Sequence, residues 1–439
     1  MRMARKFDPM LAPFMEKANI FSEEYLMCLK YLDTVEPGRE TLTKKFYVHA
    51  GSSAQLLEDL LDFHGAKENR DWYYYRELSA AVRHLSKAAN AQKHIFNRFP
   101  HYGLDDLENF NSQGHRTHDY LARVLKKFAP EILSEARRLS IRIPRKCYKP
   151  QNFPRISTPS LLPADVDGPE KSEDTRNIVK VTGNFLGVVD SFDEIGIAQK
   201  LSCEEIEALV PEQVNEVEVR RHAMVVHGLQ STFDSYIIRG ATKDPKKLRK
   251  FRGYFSVVLH LLDLTGSLLH FHERHLRDMG VKDVHKKVRE RLANIIGPEE
   301  LLDRTINYGL YYASIYLKDG QKLAEQIREE HIVLDRIVVS VPRDRGFHTR
   351  PSLLVSKIVE RHGGGVKMVV GDMTYDASRP IMLQYGGGEV KRRNFSEVVF
   401  EGNSMALADI RILAGVNYGE DLIGRDIPLP RELSYLLAK

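Results

Sequence analysis

Long apolar runs are missing from this sequence. No stretch approaches the roughly 18 consecutive apolar residues that crossing a bilayer requires, so no membrane span is expected. Arg2, Arg5, Lys6, Asp8, Pro9 and Pro13 interrupt residues 1–16, which argues against a secretory signal. Cysteine is scarce. Cys28, Cys147 and Cys203 are odd in number and far apart, without metal-type pairing, and read as reduced thiols of a cytoplasmic protein. Charge of one sign does not dominate either. The 65 basic and 60 acidic residues leave a net +5, too little to imply nucleic acid. What remains is an ordinary globular composition, 42% hydrophobic and 28% charged, which excludes wholesale disorder. Its 439 residues suffice for two or three domains.

The pattern of apolar residues divides the chain. Residues 1–149 read as helical, with apolar positions recurring at Leu56, Leu57, Leu60, Leu61 and at Leu78, Val82, Leu85. Residues 150–175 hold five of the 19 prolines within 20 residues, marking a linker or surface connection. A second helical region spans 176–332, its periodicity returning from Val214 to about Glu330, most clearly where Leu261, Leu264, Leu268 and His275 share one face. From Ile337 the pattern changes. Short β-branched runs at 337–341, 366–370 and 397–400 alternate with amphipathic segments at 351–361 and 404–416. The expected architecture is a large all-α region followed by an α+β domain over 335–430, antiparallel strands carrying helices on one face.

The two helical regions echo each other. At an offset of 176, Arg76, His84, Leu85, His94 and Arg98 match Arg252, His260, Leu261, His270 and Arg274. At an offset of 188, Arg116, Thr117 and Tyr120 match Arg304, Thr305 and Tyr308. A duplicated helical unit is the expectation. His94/Arg98 and His270/Arg274 are each four apart, so each pair shares a helix face. Arginine carries a fixed positive charge and cannot ligate a metal, so these pairs suit an anion; the plainer alternative is ion pairing inside a bundle. The run His270, His272, His275 tempts a metal assignment. On an α-helix the three spread over different faces, so no metal site and no cofactor are expected. Two basic runs, Arg137–Lys149 and Lys243–Arg252, read as solvated surface.

The sharpest signal is Arg345-Gly-Phe-His348-Thr-Arg350-Pro351-Ser352, between the first strand and first helix of the C-terminal domain. Pro351 suits a helix's first turn, which places His348 near the N-cap, and Gly346 permits a tight approach from the strand. The free amides and positive end of the helix then face an imidazole, with Arg350 adding a fixed cation. Such an arrangement suits a phosphoryl group held on a nucleophilic nitrogen. No local Asp or Ser completes a hydrolase constellation. The bland alternative is a capping histidine beside a solvent-exposed arginine.

The segment Gly346 to Ser352 resembles the signature of the HPr family, histidine phosphocarriers of the phosphoenolpyruvate-dependent phosphotransferase system. The resemblance covers about 335–425, including the strand and helix order, and implies an open-faced β-sandwich. It further implies that His348 accepts a phosphoryl group through Nδ1, that Arg350 stabilises it, and that Gly346, Thr349, Pro351 and Ser352 shape the helix N-terminus. Partner docking would fall to Leu353, Leu354, Ile381 and Met382. The regulatory serine of many relatives is absent: Arg379 or Pro380 stands there, beside Ser378. The triple glycines Gly363–Gly365 and Gly386–Gly388 are unusual and suggest a loosened docking surface.

The leading expectation is a phosphocarrier or regulatory protein rather than a turnover enzyme. An enzyme-I-like donor would load His348, and the helical region would serve as the output or partner-binding module. Two alternatives stay open. One is an HPr-like docking protein that is never phosphorylated. The other is a helical enzyme or sensor binding a small anion at His94, Arg98, His270 and Arg274.

Overall fold

The computed structural model describes residues 12–36, 38, 41–156, 175–236, 245–277, 283–331, 333–343, 345–421 and 427–437. The protein is mostly helical, 74%, with a small four-stranded antiparallel sheet near the C-terminus. Two compact units are built from interleaved segments. The first takes the described residues of Met1–Val166, Ser191–His227 and Arg249–Lys318; the second those of Asp167–Asp190, Gly228–Leu248 and Asp319–Lys439. Most of the proline-rich segment, 157–174, lies outside the described residues.

The first unit is helical. Helices α1 (Ala12–Thr34), α2 (Lys44–Phe63), α3 (Tyr73–Arg98) and α4 (Phe110–Arg138) come in succession. The Thr43 hydroxyl caps α2 by accepting from the Phe46 amide. Leu57 and Leu61 are buried while Leu56 is exposed, so only part of the expected leucine stripe faces the core. Along α3, Leu78, Val82 and Leu85 are buried among alanines 80, 81, 88, 89 and 91, small residues that let neighbouring helices approach. Helices α5 (Thr175–Asp193), α7 (Glu216–Tyr236), α8 (Pro245–Phe271) and α11 (Tyr311–His331) each run across a unit boundary, whereas α6 (Cys203–Leu209), α9 (Asp283–Ile296) and α10 (Pro298–Asp303) lie wholly in the first. Leu261, Leu264, Leu268 and His275 are all buried, as their periodicity requires. The stretch Lys246–Leu276 is long and apolar enough to cross a membrane, and 72% of its apolar window is buried inside the protein. Two π-turns, His272–Leu276 and Arg304–Leu310, interrupt the regular helical geometry.

In the second unit the order is β1 (Leu334–Ser340), α12 (Thr349–Arg361), β2 (Lys367–Val370), β3 (Met373–Asp376), α13 (Pro380–Arg392), β4 (Glu397–Asn403) and α14 (Ser404–Gly415). The sheet order is β1-β4-β2-β3, with Phe400 opposite both Ile337 and Met368. Alternate residues Ile337, Val339, Val398 and Phe400 are buried, while Val338 is 58% exposed. The buried side chains of all three helices join that same inward set, so α12, α13 and α14 cover one face of the sheet.

The triple glycines have a packing reason. A Cβ at Gly386 or Gly387 would overlap Met368 and Tyr375, or Phe347, so small residues let α13 sit close against the sheet and the segment before His348. They tighten this face rather than loosen it.

Candidate functional site

His348 occupies the N-cap of α12 in an extended conformation, and its side chain does not cap the helix. The positive end of α12 therefore stands beside the ring, with Pro351 bringing no N–H and the Ser352 amide donating to the His348 carbonyl. Phe347, buried before it, and the Ser352 hydroxyl, donating to the Phe347 carbonyl, pin the approach to the helix. Gly346 turns the chain at φ +64°.

The residue that sequence reasoning missed is Glu420. It lies 72 positions away, just after α14, and its Oε2 stands 3.1 Å from His348 Nε2. Glu420 is buried, while the His348 side chain is 30% exposed. A carboxylate accepts only, so Nε2 carries the proton, and in the neutral ring the lone pair is on Nδ1. The tight turn Asn417–Gly419 delivers Glu420, and Arg350 Nη2 donates to the Gly419 carbonyl at 3.4 Å. Nothing in the spacing of Glu420 signalled this role.

The other expected residues are distributed unevenly. Thr349 is exposed, and Pro351 and Ser352 are buried in the first turn of α12. Leu353 and Ile381 are exposed, Met382 is partly buried, and Leu354 is a core residue, which removes it from any docking surface. Arg379 precedes α13 and Pro380 starts it, so no serine stands at that helix's N-terminus; the Ser378 hydroxyl donates to Asp376.

A second cluster lies in the first unit. The four residues expected as one anion site do not converge. His270 stacks on His84, ring centroids 4.1 Å apart, and His94 lies against His260 at 3.9 Å. Each pairing joins one repeat to the other, and the two step along α3 and α8 in opposite directions. The two helices thus run antiparallel, with the pairs about 15 Å apart along α3. The arginines follow. Arg76 and Arg274 line the cleft beside His270, whereas Arg98 and Arg252 lie close enough to His94 to oppose its protonation. The second echo behaves likewise: Thr117 and Thr305 each donate to the carbonyl four residues earlier, and Tyr120 and Tyr308 are both buried.

Burial, and then neighbouring positive charge, keeps the His84 and His94 rings neutral. His84 is held far below the usual histidine range by burial and by Arg83, His270 and His275; His94 is pushed down to about 3 by burial, His260 and Lys44. Unfolded, both rings would take a proton near pH 6.5, so their contribution to stability is intact above that value and is lost as pH falls below it. Between pH 7 and 5.5 the two together should cost about 1–2 kcal/mol, a figure that allows for the partial exposure of His94. Urea unfolding at the two pH values measures this; an unchanged midpoint would show that the rings are not held neutral.

The basic runs behave as surface. Lys250 pairs with Asp105 and Arg138 with Glu135, and Lys30 donates to the carbonyls of residues 144–146. Comparison with family models, curated proteins and solved structures finds no match to this chain.

Proposed function

We propose that the protein is a cytoplasmic phosphocarrier or regulatory protein of the HPr type, accepting a phosphoryl group on His348 Nδ1 from an enzyme-I-like phosphohistidine donor. The observation that carries this reading is the Glu420–His348 hydrogen bond, which leaves Nδ1 as the nucleophile at a helix N-terminus. In the transfer, the Nδ1 lone pair attacks phosphorus, the new N–P bond forms, and the donor's N–P bond breaks with its electron pair returning to the donor imidazole. Nε2 keeps its proton throughout. The phosphorylated ring is then a cation paired with a buried carboxylate, which favours the product.

Arg350 serves the same end at the first turn of α12. A charge-assisted contact to phosphate is worth ~1.5–3 kcal/mol, so Arg350→Ala should reduce transfer roughly 10- to 150-fold. Glu420→Gln keeps an acceptor for Nε2–H but removes the charge, and should slow transfer about tenfold. The phosphoryl group adds nearly two negative charges, enough to change what the surface around Arg345 and Arg350 binds. The helical region is the natural output module of such a switch.

The test is incubation of the full chain with phosphoenolpyruvate and a bacterial enzyme I, read by intact mass. The wild type should gain one acid-labile phosphoryl group, and His348→Ala none. A wild type that stays unmodified, with the donor shown to be competent, would favour a docking role without phosphorylation.

A further inference from the structure

The first unit holds a cluster of three histidines, two buried and one half-buried, with no part in phosphoryl chemistry. His84 on α3, His270 near the end of α8 and His275 in the following π-turn each offer a ring nitrogen within 4.8 Å of the others. Their spacing explains why the sequence concealed this. Five residues along a regular α-helix turn the chain by about 140°, which sets 270 and 275 apart. The π-turn His272–Leu276 widens the helical repeat there and brings the two rings to one side, while His272 falls outside the group.

The surroundings are those of a ligand set. His275 Nδ1 lies 2.7 Å from Glu77 Oε2, and His270 Nδ1 lies 2.9 Å from Glu216 Oε2. Each carboxylate fixes a proton on Nδ1 and directs the Nε2 lone pair into the cluster, as outer carboxylates do for metal-bound histidines. His275 is 3% exposed with Nε2 lacking any hydrogen-bond partner, and His84 is 6% exposed with Nδ1 lacking one. Buried ring nitrogens seldom stand unpaired in this way. A cleft of about 490 Å³ reaches His270 and His275, giving an entry path and open coordination positions.

The other end of the helix pair acts as an internal comparison. The position matching His275 is Phe99, the one matching Glu77 is Gly253, and Lys44 Nζ lies 2.9 Å from His94 Nδ1. That end has a phenylalanine at the third position and a lysine against His94. One carboxylate, Asp263, stands 3.2 Å from His260 Nδ1 there, but a third imidazole joins the pair only at the His84–His270 end.

We propose that His84, His270 and His275 bind one divalent transition-metal ion of the zinc or ferrous class, with Glu77 and Glu216 orienting two of the ligands. Three neutral imidazoles suit these borderline ions and leave at least one position for water or an anionic co-ligand entering by the cleft. Nitrogens around a tetrahedral ion with bonds near 2.1 Å stand ~3.4 Å apart, so the rings close by about an ångström on binding. His84 supplies most of the movement. Its ring is stacked on His270, and Arg83 Nη2 donates to its Nε2 at 2.7 Å, so uptake turns the ring, shifts its proton from Nδ1 to Nε2, and leaves Arg83 to Glu58.

The test uses the full chain stripped of metal with a chelator, then titrated with Co²⁺ and Zn²⁺. One equivalent of Co²⁺ should bind with a visible spectrum of low coordination number, and Zn²⁺ should displace it. His270→Ala should abolish this, Glu216→Gln should weaken affinity about 10- to 100-fold, and His94→Ala should leave it unchanged. If His270→Ala does not fold, protection of His270 from diethyl pyrocarbonate by one equivalent of Zn²⁺ in the wild type reads the same site. No binding by the wild type, binding that survives in folded His270→Ala, or a His270 that stays equally reactive with Zn²⁺ would each overturn the proposal.

Discussion

Arg76→Met is expected to destabilise the first unit by about 3–5 kcal/mol, the usual cost of leaving a buried charge without its counterpart. The Arg76 side chain is 7% exposed and sits among three carboxylates: Glu58 at 2.9 Å, Glu77 at 2.9 Å and Asp62 at 2.8 Å. Glu58 and Glu77 are themselves buried, so losing the guanidinium leaves their charges poorly solvated. Each keeps one other cationic or histidine partner, Arg83 for Glu58 and His275 for Glu77, which moderates the loss. Adding Glu58→Gln to Arg76→Met should recover part of the stability, because the orphaned charge is then gone. Urea unfolding of the two single variants and the double variant gives the coupling directly. Additive losses would mean that the ions do not stabilise one another.

Gly363→Ala should cost the second unit about 2–4 kcal/mol. Residue 363 has φ +82°, and a Cβ there would lie 2.5 Å from the Val179 carbonyl oxygen. The left-handed backbone accounts for ~1 kcal/mol and the overlap with backbone atoms for ~1–3 more. Gly364 supplies the contrast, since it has φ +79° but open space around its missing side chain. Gly364→Ala should therefore cost only ~1 kcal/mol. Gly183→Ala approaches the same contact from α5, where its Cβ would meet the Gly363 carbonyl, and should match the larger loss. Equal effects at 363 and 364 would show that α5 is not packed against this turn.

These residues also show where the sequence was readable. The short β-branched runs at 337–341, 366–370 and 397–400 announced strands, and the antiparallel sheet contains them. Pro351 placed His348 at the head of α12 because only a first turn accepts proline freely. The 176-residue echo was visible as matched histidines, and their rings meet in two pairs between α3 and α8. Glu420 was not readable. A hydrogen bond spanning 72 residues leaves no periodicity, and a single acid near a loop has no distinguishing pattern. The three-histidine group was concealed for another reason: regular helical geometry separates His270 from His275, and only the π-turn reunites them. The interleaving of the two units was equally silent, since α5, α7, α8 and α11 keep one helical period straight through each boundary.

The claim that His348 reacts through Nδ1 while Glu420 holds Nε2–H is tested most directly by nitrogen-15 NMR of the phosphorylated full chain. Long-range couplings between ring carbons, ring nitrogens and phosphorus identify which nitrogen carries the group. The phosphorus should reside on Nδ1 of His348, and Nε2 should remain protonated. Phosphorus on Nε2, or on another histidine, would contradict the arrangement from which the function was derived.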